Sequence, residues 1–140
     1  MKKLTLVILL VAILFSFSSA NAEKEPTWTY ISTDGITDVS ISEDSGNISA
    51  TYGKTVSLWL NHTSTPYNTR TVGQGITSMD MSSNGGYVVI AEESDATLTL
   101  YEQGTKEWEK SDFFLSVNGV DITSDGSHIC LLYTSPSPRD

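Results

Sequence analysis

The feature that most constrains this chain is an internal repeat. Residues 75–101, GITSMDMSSNGGYVVIAEESDATLTLY, have a degraded copy forty residues upstream that begins GITDVSISEDSGNISATYGKTVSLWL at Gly35. In that overlay Gly75 answers Gly35, Met79 and Met81 answer Val39 and Ile41, and Ser82 answers Ser42. Gly86 then answers Gly46, and Leu98 and Leu100 answer Leu58 and Leu60. A third start, NGVDITSDGSHI, sets Val120 and Ile122 forty-one residues after Met79 and Met81, with Asp125 and Gly126 in its turn. A period near forty predicts stacked supersecondary units, and four short strands per unit is the blade of a β-propeller.

Within each unit the apolar residues alternate with polar ones, as a half-buried strand requires. Val39 and Ile41 alternate with Ser40 and Ser42, and Val56, Leu58 and Leu60 with Thr55, Ser57 and Trp59. The strands expected in the first unit are 36–42, 47–52, 55–60 and 67–72; Pro66 is tolerable because it precedes an edge strand. In the second they are 76–82, 87–91, 97–101 and one beginning near Trp108. In the third, 117–123 is followed by a turn, and only His128 and Ile129 belong to the next strand. The turn Ser83-Asn84-Gly85-Gly86 is built from residues that tolerate positive φ. The units therefore fall near 36–72, 76–113 and 117–129: about two and a half four-stranded antiparallel blades of an all-β propeller fragment.

Residues 26–32 precede the first unit by the same spacing. Pro26 and Trp28 stand forty before Pro66 and Asn68, and Trp108 stands forty after Asn68. This predicts an outer or closing strand at 26–32, with Trp28, Trp59 and Trp108 docking blades against one another.

At the start, Lys2 and Lys3 are followed by an apolar run from Leu4 to Phe17 and by Ala20-Asn21-Ala22. That is the pattern of a signal peptide over 1–22, cleaved after Ala22; the run is too short for the ~20 residues of a bilayer span. The expected destination is secreted or extracytoplasmic, with no membrane insertion after the leader is removed. Residues 130–140, CLLYTSPSPRD, depart from the repeat and resemble the translated transposase adapter of sequencing libraries. On that resemblance the native sequence stops at Ile129, and Cys130, the single cysteine, is foreign to it. Residues 23–129 then form an incomplete propeller without disulfides, held by packing and strand pairing.

Over residues 23–129 five basic side chains, Lys24, Lys54, Arg70, Lys106 and Lys110, face sixteen carboxylates, a net charge of −11. Such a surface repels phosphate backbones and anionic lipid heads, so nucleic acid is not an expected partner.

The pattern Pro-x-Trp, then Gly-hydrophobic, then Val-x-Ile-Ser-x-Asp-x-Gly and a short Leu-x-Leu resembles the exported WD40-like and quinoprotein-like (PQQ-like) propeller repeats of archaea and bacteria. It is carried by Pro26 and Trp28, by 39–46, by 79–86 and by 120–126. Asn68 replaces the tryptophan in the first full unit, and the Gly-His and Trp-Asp pairs of eukaryotic WD40 repeats are absent. Gly104-Thr105-Lys106-Glu107-Trp108 is similar to the tryptophan-docking motif of quinone-carrying enzymes. In that family the motif is architectural, so the resemblance implies no bound quinone and no cofactor is expected.

Candidate chemistry is sparse. His62 and His128 have no Cys or Glu at metal-ligand spacing. Asp34, Asp38, Asp121 and Asp125 recur around turns, where Asp caps backbone amides, and DITSDGS supplies only the opening of a calcium loop. No nucleophile elbow or phosphate-binding glycine loop occurs. Asn61-His62-Thr63 and Asn47-Ile48-Ser49 match the glycosylation tripeptide, with Asn61 favoured because it lies in a connection. The expected role is a non-catalytic binding or scaffold module whose loops, such as 61–66 and 92–95, meet an extracellular protein or glycan. The alternatives are the N-terminal part of a propeller enzyme, a quinone-dependent dehydrogenase or a hydrolase, and a cell-surface adhesive or structural protein.

Overall fold

The computed structural model describes residues 25–93, 97–111 and 117–133. The expected leader with its cleavage point at Ala22, and the chain from residue 134 onward, lie outside the described residues. Among the described residues the chain is all-β, with no helix. β1 (Ile36–Ile41), β2 (Asn47–Tyr52), β3 (Thr55–Leu60) and β4 (Asn68–Thr71) form one antiparallel sheet in that order. β5 (Ile76–Met81), β6 (Tyr87–Glu92), β7 (Leu98–Glu102) and β8 (Thr105–Lys110) form a second, and β9 (Val117–Ile122) pairs with β10 (Ile129–Tyr133). These are two complete four-stranded blades and the inner hairpin of a third, a propeller fragment of about two and a half blades.

The inner hairpins are built by the repeated hydroxyl-x-Asx motif. At the end of β1 the Ser42 hydroxyl donates to Asp44 Oδ1 at 2.6 Å and accepts the Asn47 amide at 2.9 Å, while Asp44 Oδ1 also takes the Gly46 amide at 2.8 Å. Ser82, Asn84, Gly86 and Tyr87 repeat this arrangement at 2.8–2.9 Å. In the third hairpin, Thr123 and Asp125 do the same for Ser127 and His128. A side-chain oxygen thus satisfies turn amides that the ladder cannot reach.

Register reproduces from blade to blade. Val39 faces Ala50 as Met79 faces Ile90 and Val120 faces Leu131, and each inner hairpin carries a register shift at its open end. β10 continues this pairing to Tyr133, opposite Val117, past Ile129 where the repeat alone places the last strand residue. The third strands differ from the overlay. Leu98 and Leu100 take the places of Val56 and Leu58, an offset of forty-two, because Ala91 pairs Leu98 whereas Thr51 pairs Val56. The β6–β7 connection is two residues longer than the β2–β3 turn. The β7–β8 turn, Gln103-Gly104, is correspondingly short, so Trp108 opposite Leu100 regains the offset of forty from Asn68 opposite Leu58.

Residues 26–32 are not a strand, contrary to the expectation from spacing. They lie across the face of the first blade, because Trp28 and Tyr30 have an aromatic bed to enter. Trp28 packs with Ala50, Tyr52 and Trp59, and its indole N–H donates to the Asn61 carbonyl at 2.8 Å. Tyr30 meets the Trp59 ring edge-on at a centroid distance of 4.9 Å, and its hydroxyl lies 3.2 Å from that of Tyr52.

The two blades are stacked through one apolar cluster. Val56 and Leu58 of the first meet Ile76, Met79, Met81, Val88, Ile90 and Tyr101 of the second. On its far face the second blade packs Val89, Ala91, Leu98 and Leu100 against Val117 and Ile122. Ile90 and Val89 are fully buried, each worth about 1.5–3 kcal/mol relative to exposure. Polar bonds fix the angle between units. Asp38 Oδ2 accepts the Met79 amide at 3.0 Å, Asp80 Oδ2 accepts that of Ile122 at 2.9 Å, and the Ser78 hydroxyl accepts that of Val120 at 3.2 Å.

Candidate functional site

The concave feature with the richest chemistry lies where the crossover from the first blade to the second passes over β6 and β7. A cleft of about 320 Å³ is lined there by residues 71–74 and by Glu92, Thr97, Tyr101, Lys106 and Glu109. Its rim is fixed. The Lys54 ammonium donates to the Gly73 carbonyl at 2.8 Å, and the Gln74 amide donates to Glu92 Oε2 at 3.2 Å. Glu92 is buried at 6 % exposure, yet Oε1 takes no hydrogen bond from the described residues.

Tyr101 forms the inner wall. It is also 6 % exposed, and its hydroxyl makes no hydrogen bond within the described chain. Burial raises the phenol pKa above its ordinary value, and the nearby Glu92 and Glu109 carboxylates raise it further against the opposing Arg70 guanidinium. The phenol is therefore protonated and available as a donor. On the outer wall the Lys106 ammonium pairs with Glu109 at 3.0 Å. The cleft thus offers a buried carboxylate with one oxygen unengaged, a buried phenol and an exposed ion pair, with Thr71, Thr97 and Gln74 in its lining and little apolar surface. Such a lining suits a small ligand rich in hydroxyls and placed by many short polar contacts.

The residues singled out from sequence are not gathered here. Trp59 is 2 % exposed under Trp28 and Tyr30, and its indole donates to the Ser64 carbonyl at 3.1 Å. Trp108 is half-buried beside Val89, Leu98 and Leu100, with the Lys110 ammonium 5.6 Å from its ring centroid. Asn68, at the equivalent position one unit earlier, does reach the next blade, donating to the Gly104 carbonyl at 3.1 Å. Asn61 is exposed, whereas Asn47 is half-buried with its side chain against Gly85. His62 is exposed, and His128 Nδ1 lies 2.7 Å from the Ser127 hydroxyl in the third turn. Of the loop 92–95, residues 94 and 95 lie outside the described residues.

Sequence reasoning missed the cleft because its members come from two units and meet only through stacking. One signal was present: Glu92 ends the apolar run YVVIAE, an improbable place for a carboxylate unless something uses it. Among the described residues no three of His, Cys, Asp and Glu are grouped so as to hold a metal ion. Neither a protein-family model nor a curated protein matches the chain.

Proposed function

We propose that this chain is an exported, non-catalytic binding module of the WD40-like or quinoprotein-like propeller class, whose stacked blades hold clefts and loops in fixed positions for an extracellular protein or glycan. The observation that supports this reading best is the repetition of the blade-to-blade bonds. Asp38 and Asp80 each reach the next inner strand, and Asn68 reaches the turn of the next blade. Such joints give rigidity rather than motion, and rigid scaffolds lower the ordering cost of recognition. Export fits the leader over 1–22, and a cysteine-free core fits a chain that relies on pairing.

The test uses the labelled chain starting at Glu23, applied to a glycan array and to a panel of purified exported proteins. Retention by one class is expected, lost when the chain is heat-unfolded, with the retained partner unchanged in mass. No retention on either panel would overturn the binding role, and chemical turnover of the partner would overturn the non-catalytic one. N-terminal sequencing of the exported product should begin at Glu23.

A further inference from the structure

The two successive interfaces of this chain present the same positions with different occupants. By strand register Tyr52 corresponds to Glu92, Trp59 to Tyr101 and Thr69 to Glu109. By the forty-residue offset Tyr30 corresponds to Arg70. At the first interface Tyr30 fills the space, its ring against Trp59 and its hydroxyl on Tyr52, which continues through Ser57 at 2.8 Å and Thr69 at 2.9 Å. At the second, Arg70 points elsewhere, donating Nε to the Gly104 carbonyl at 3.3 Å. The cleft of about 320 Å³ opens over Glu92, Tyr101 and Glu109, the counterparts of Tyr52, Trp59 and Thr69.

The geometry points to a saccharide-binding site in this cleft, taking one pyranose ring where Tyr30 sits at the first interface. The inference rests on the binding-module reading and names its ligand class. A hydroxylated six-membered ring is what stands at this place on the first interface, where Tyr30 rests against Trp59 and Tyr52 while 38 % exposed. The change of lining decides which ring. Where the first interface offers Tyr52 and Trp59, the second offers a carboxylate and a phenol, with the Thr71 and Thr97 hydroxyls, Gln74 and the Lys106–Glu109 pair around them. A phenol ring would leave most of these unpaired, which costs binding free energy. A pyranose carries hydroxyls around its edge. One donates to the unengaged Glu92 Oε1, and another accepts from the Tyr101 hydroxyl, which has no partner among the described residues. Lys106 donates to a third.

The test is titration calorimetry and ligand-observed NMR on the full chain with methyl β-glucopyranoside, methyl β-galactopyranoside, methyl α-mannopyranoside and N-acetylglucosamine, with p-cresol as the phenolic control. At least one pyranoside should bind and p-cresol should not. Tyr101→Phe removes an atom that bonds nothing among the described residues, so the melting temperature should hold while affinity falls by roughly three- to tenfold, the range of one lost neutral hydrogen bond. Arg70→Tyr restores the occupant of the first interface, and should abolish binding and raise the melting temperature. A set of pyranosides that all fail, a preference for p-cresol, or a Tyr101→Phe variant that binds as tightly as the parent would overturn the site. If the pyranosides fail while an exported protein is still retained, the cleft assignment falls and the module reading stands. If nothing is retained, both fall.

Discussion

The first blade and the second are copies in sequence, but their leading faces are covered differently. On the second, Ile76, Met79 and Met81 of the inner strand are 4 %, 4 % and 6 % exposed, because β1 and β2 of the preceding blade pack against that strand and Val56 and Leu58 of β3 close the same cluster. On the first, the corresponding Ile36, Val39 and Ile41 are 54 %, 63 % and 58 % exposed. There Trp28 and Tyr30 cover only the outer half, over Ala50, Tyr52 and Trp59. An identical alternation of apolar residues therefore gives a core in one blade and an open strip in the next. Burial is set by the neighbour, not by the strand itself.

The sharpest way to break this comparison is to shorten the same position in both blades. Met81→Ala should cost about 2–5 kcal/mol, since it opens a cavity in a packed cluster. Ile41→Ala should change stability by no more than about 0.5 kcal/mol, as exposed positions do. Equal midpoint shifts for the two variants in urea unfolding would mean that the faces do not differ as described.

The turns give a second contrast. The residue at positive φ is Ser45 in the first hairpin (φ 58°), but Gly85 in the second (φ 69°) and Gly126 in the third (φ 76°). Ser45 is exposed, whereas a Cβ at Gly85 would meet the Asn47 side chain at 2.5–2.8 Å. Gly85→Ser, which copies the first turn into the second, should cost about 1–2 kcal/mol for the left-handed backbone, plus the displacement of Asn47. Ser45→Gly should stabilise by up to about 1.5 kcal/mol, because relief of the same strain outweighs the roughly 0.4–1 kcal/mol of chain entropy that glycine adds. Paired thermal melts read both values.

Trp28→Ala tests how much the half-cover of the first blade contributes. Half-burial of a large side chain implies roughly 0.8–1.5 kcal/mol, half of the 1.5–3 kcal/mol for full burial. The accompanying signature is a red-shifted Trp59 emission as its ring meets water. A blue emission maximum retained from Trp59 would mean that Tyr30 alone keeps the ring dry.

Which parts were legible follows from where the determinants lie. The inner hairpins could be read because each is fixed by residues within six positions, Ser42 to Asn47 or Ser82 to Tyr87, and the motif recurs. The third strands were placed, at 55–60 and 97–101, but not their equivalence, because the extra two residues before Leu98 are compensated after Glu102. The overlay hides them, matching Leu98 to Leu58 when strand pairing matches it to Val56. Trp28 to Ile31 alternates like a strand and stands at a strand's spacing, but Trp28 and Tyr30 gain more from the Trp59 face than from a ladder. The cleft lay furthest from reach, since Glu92 and Tyr101 acquire their setting from residues 71–74 of the preceding unit. What the alignment did hold was Tyr30 against Arg70, a difference whose meaning depends on knowing what Tyr30 fills.

Acid titration should separate the units by sign. Asp44 is held below the usual carboxylate range, first by the Ser42 hydroxyl and then by the Gly46 amide, and Asp125 is held lower still by Ser127 and Thr123. The second blade places Asn84 in that turn with the same bonds, so it has nothing to titrate there. Asp80 is opposite in sense: burial raises its pKa above the ordinary 3.8 and the Asp121 carboxylate adds to this, against the pull of the Ile122 and Met81 amides. A lowered folded pKa gives stability that is present above the unfolded value and is lost as pH falls through the folded one. A raised pKa gives stability that is present below the unfolded value and is lost as pH rises through the folded one. Asp44→Asn, which makes the first turn match the second, should therefore soften the loss of melting temperature below about pH 4. Asp80→Asn should melt higher than the parent near pH 7 and converge with it near pH 3. If Asp80→Asn instead melts lower at neutral pH than at acid pH relative to the parent, the amides of Ile122 and Met81 outweigh burial. The joint between the second and third units would then depend on a charged Asp80.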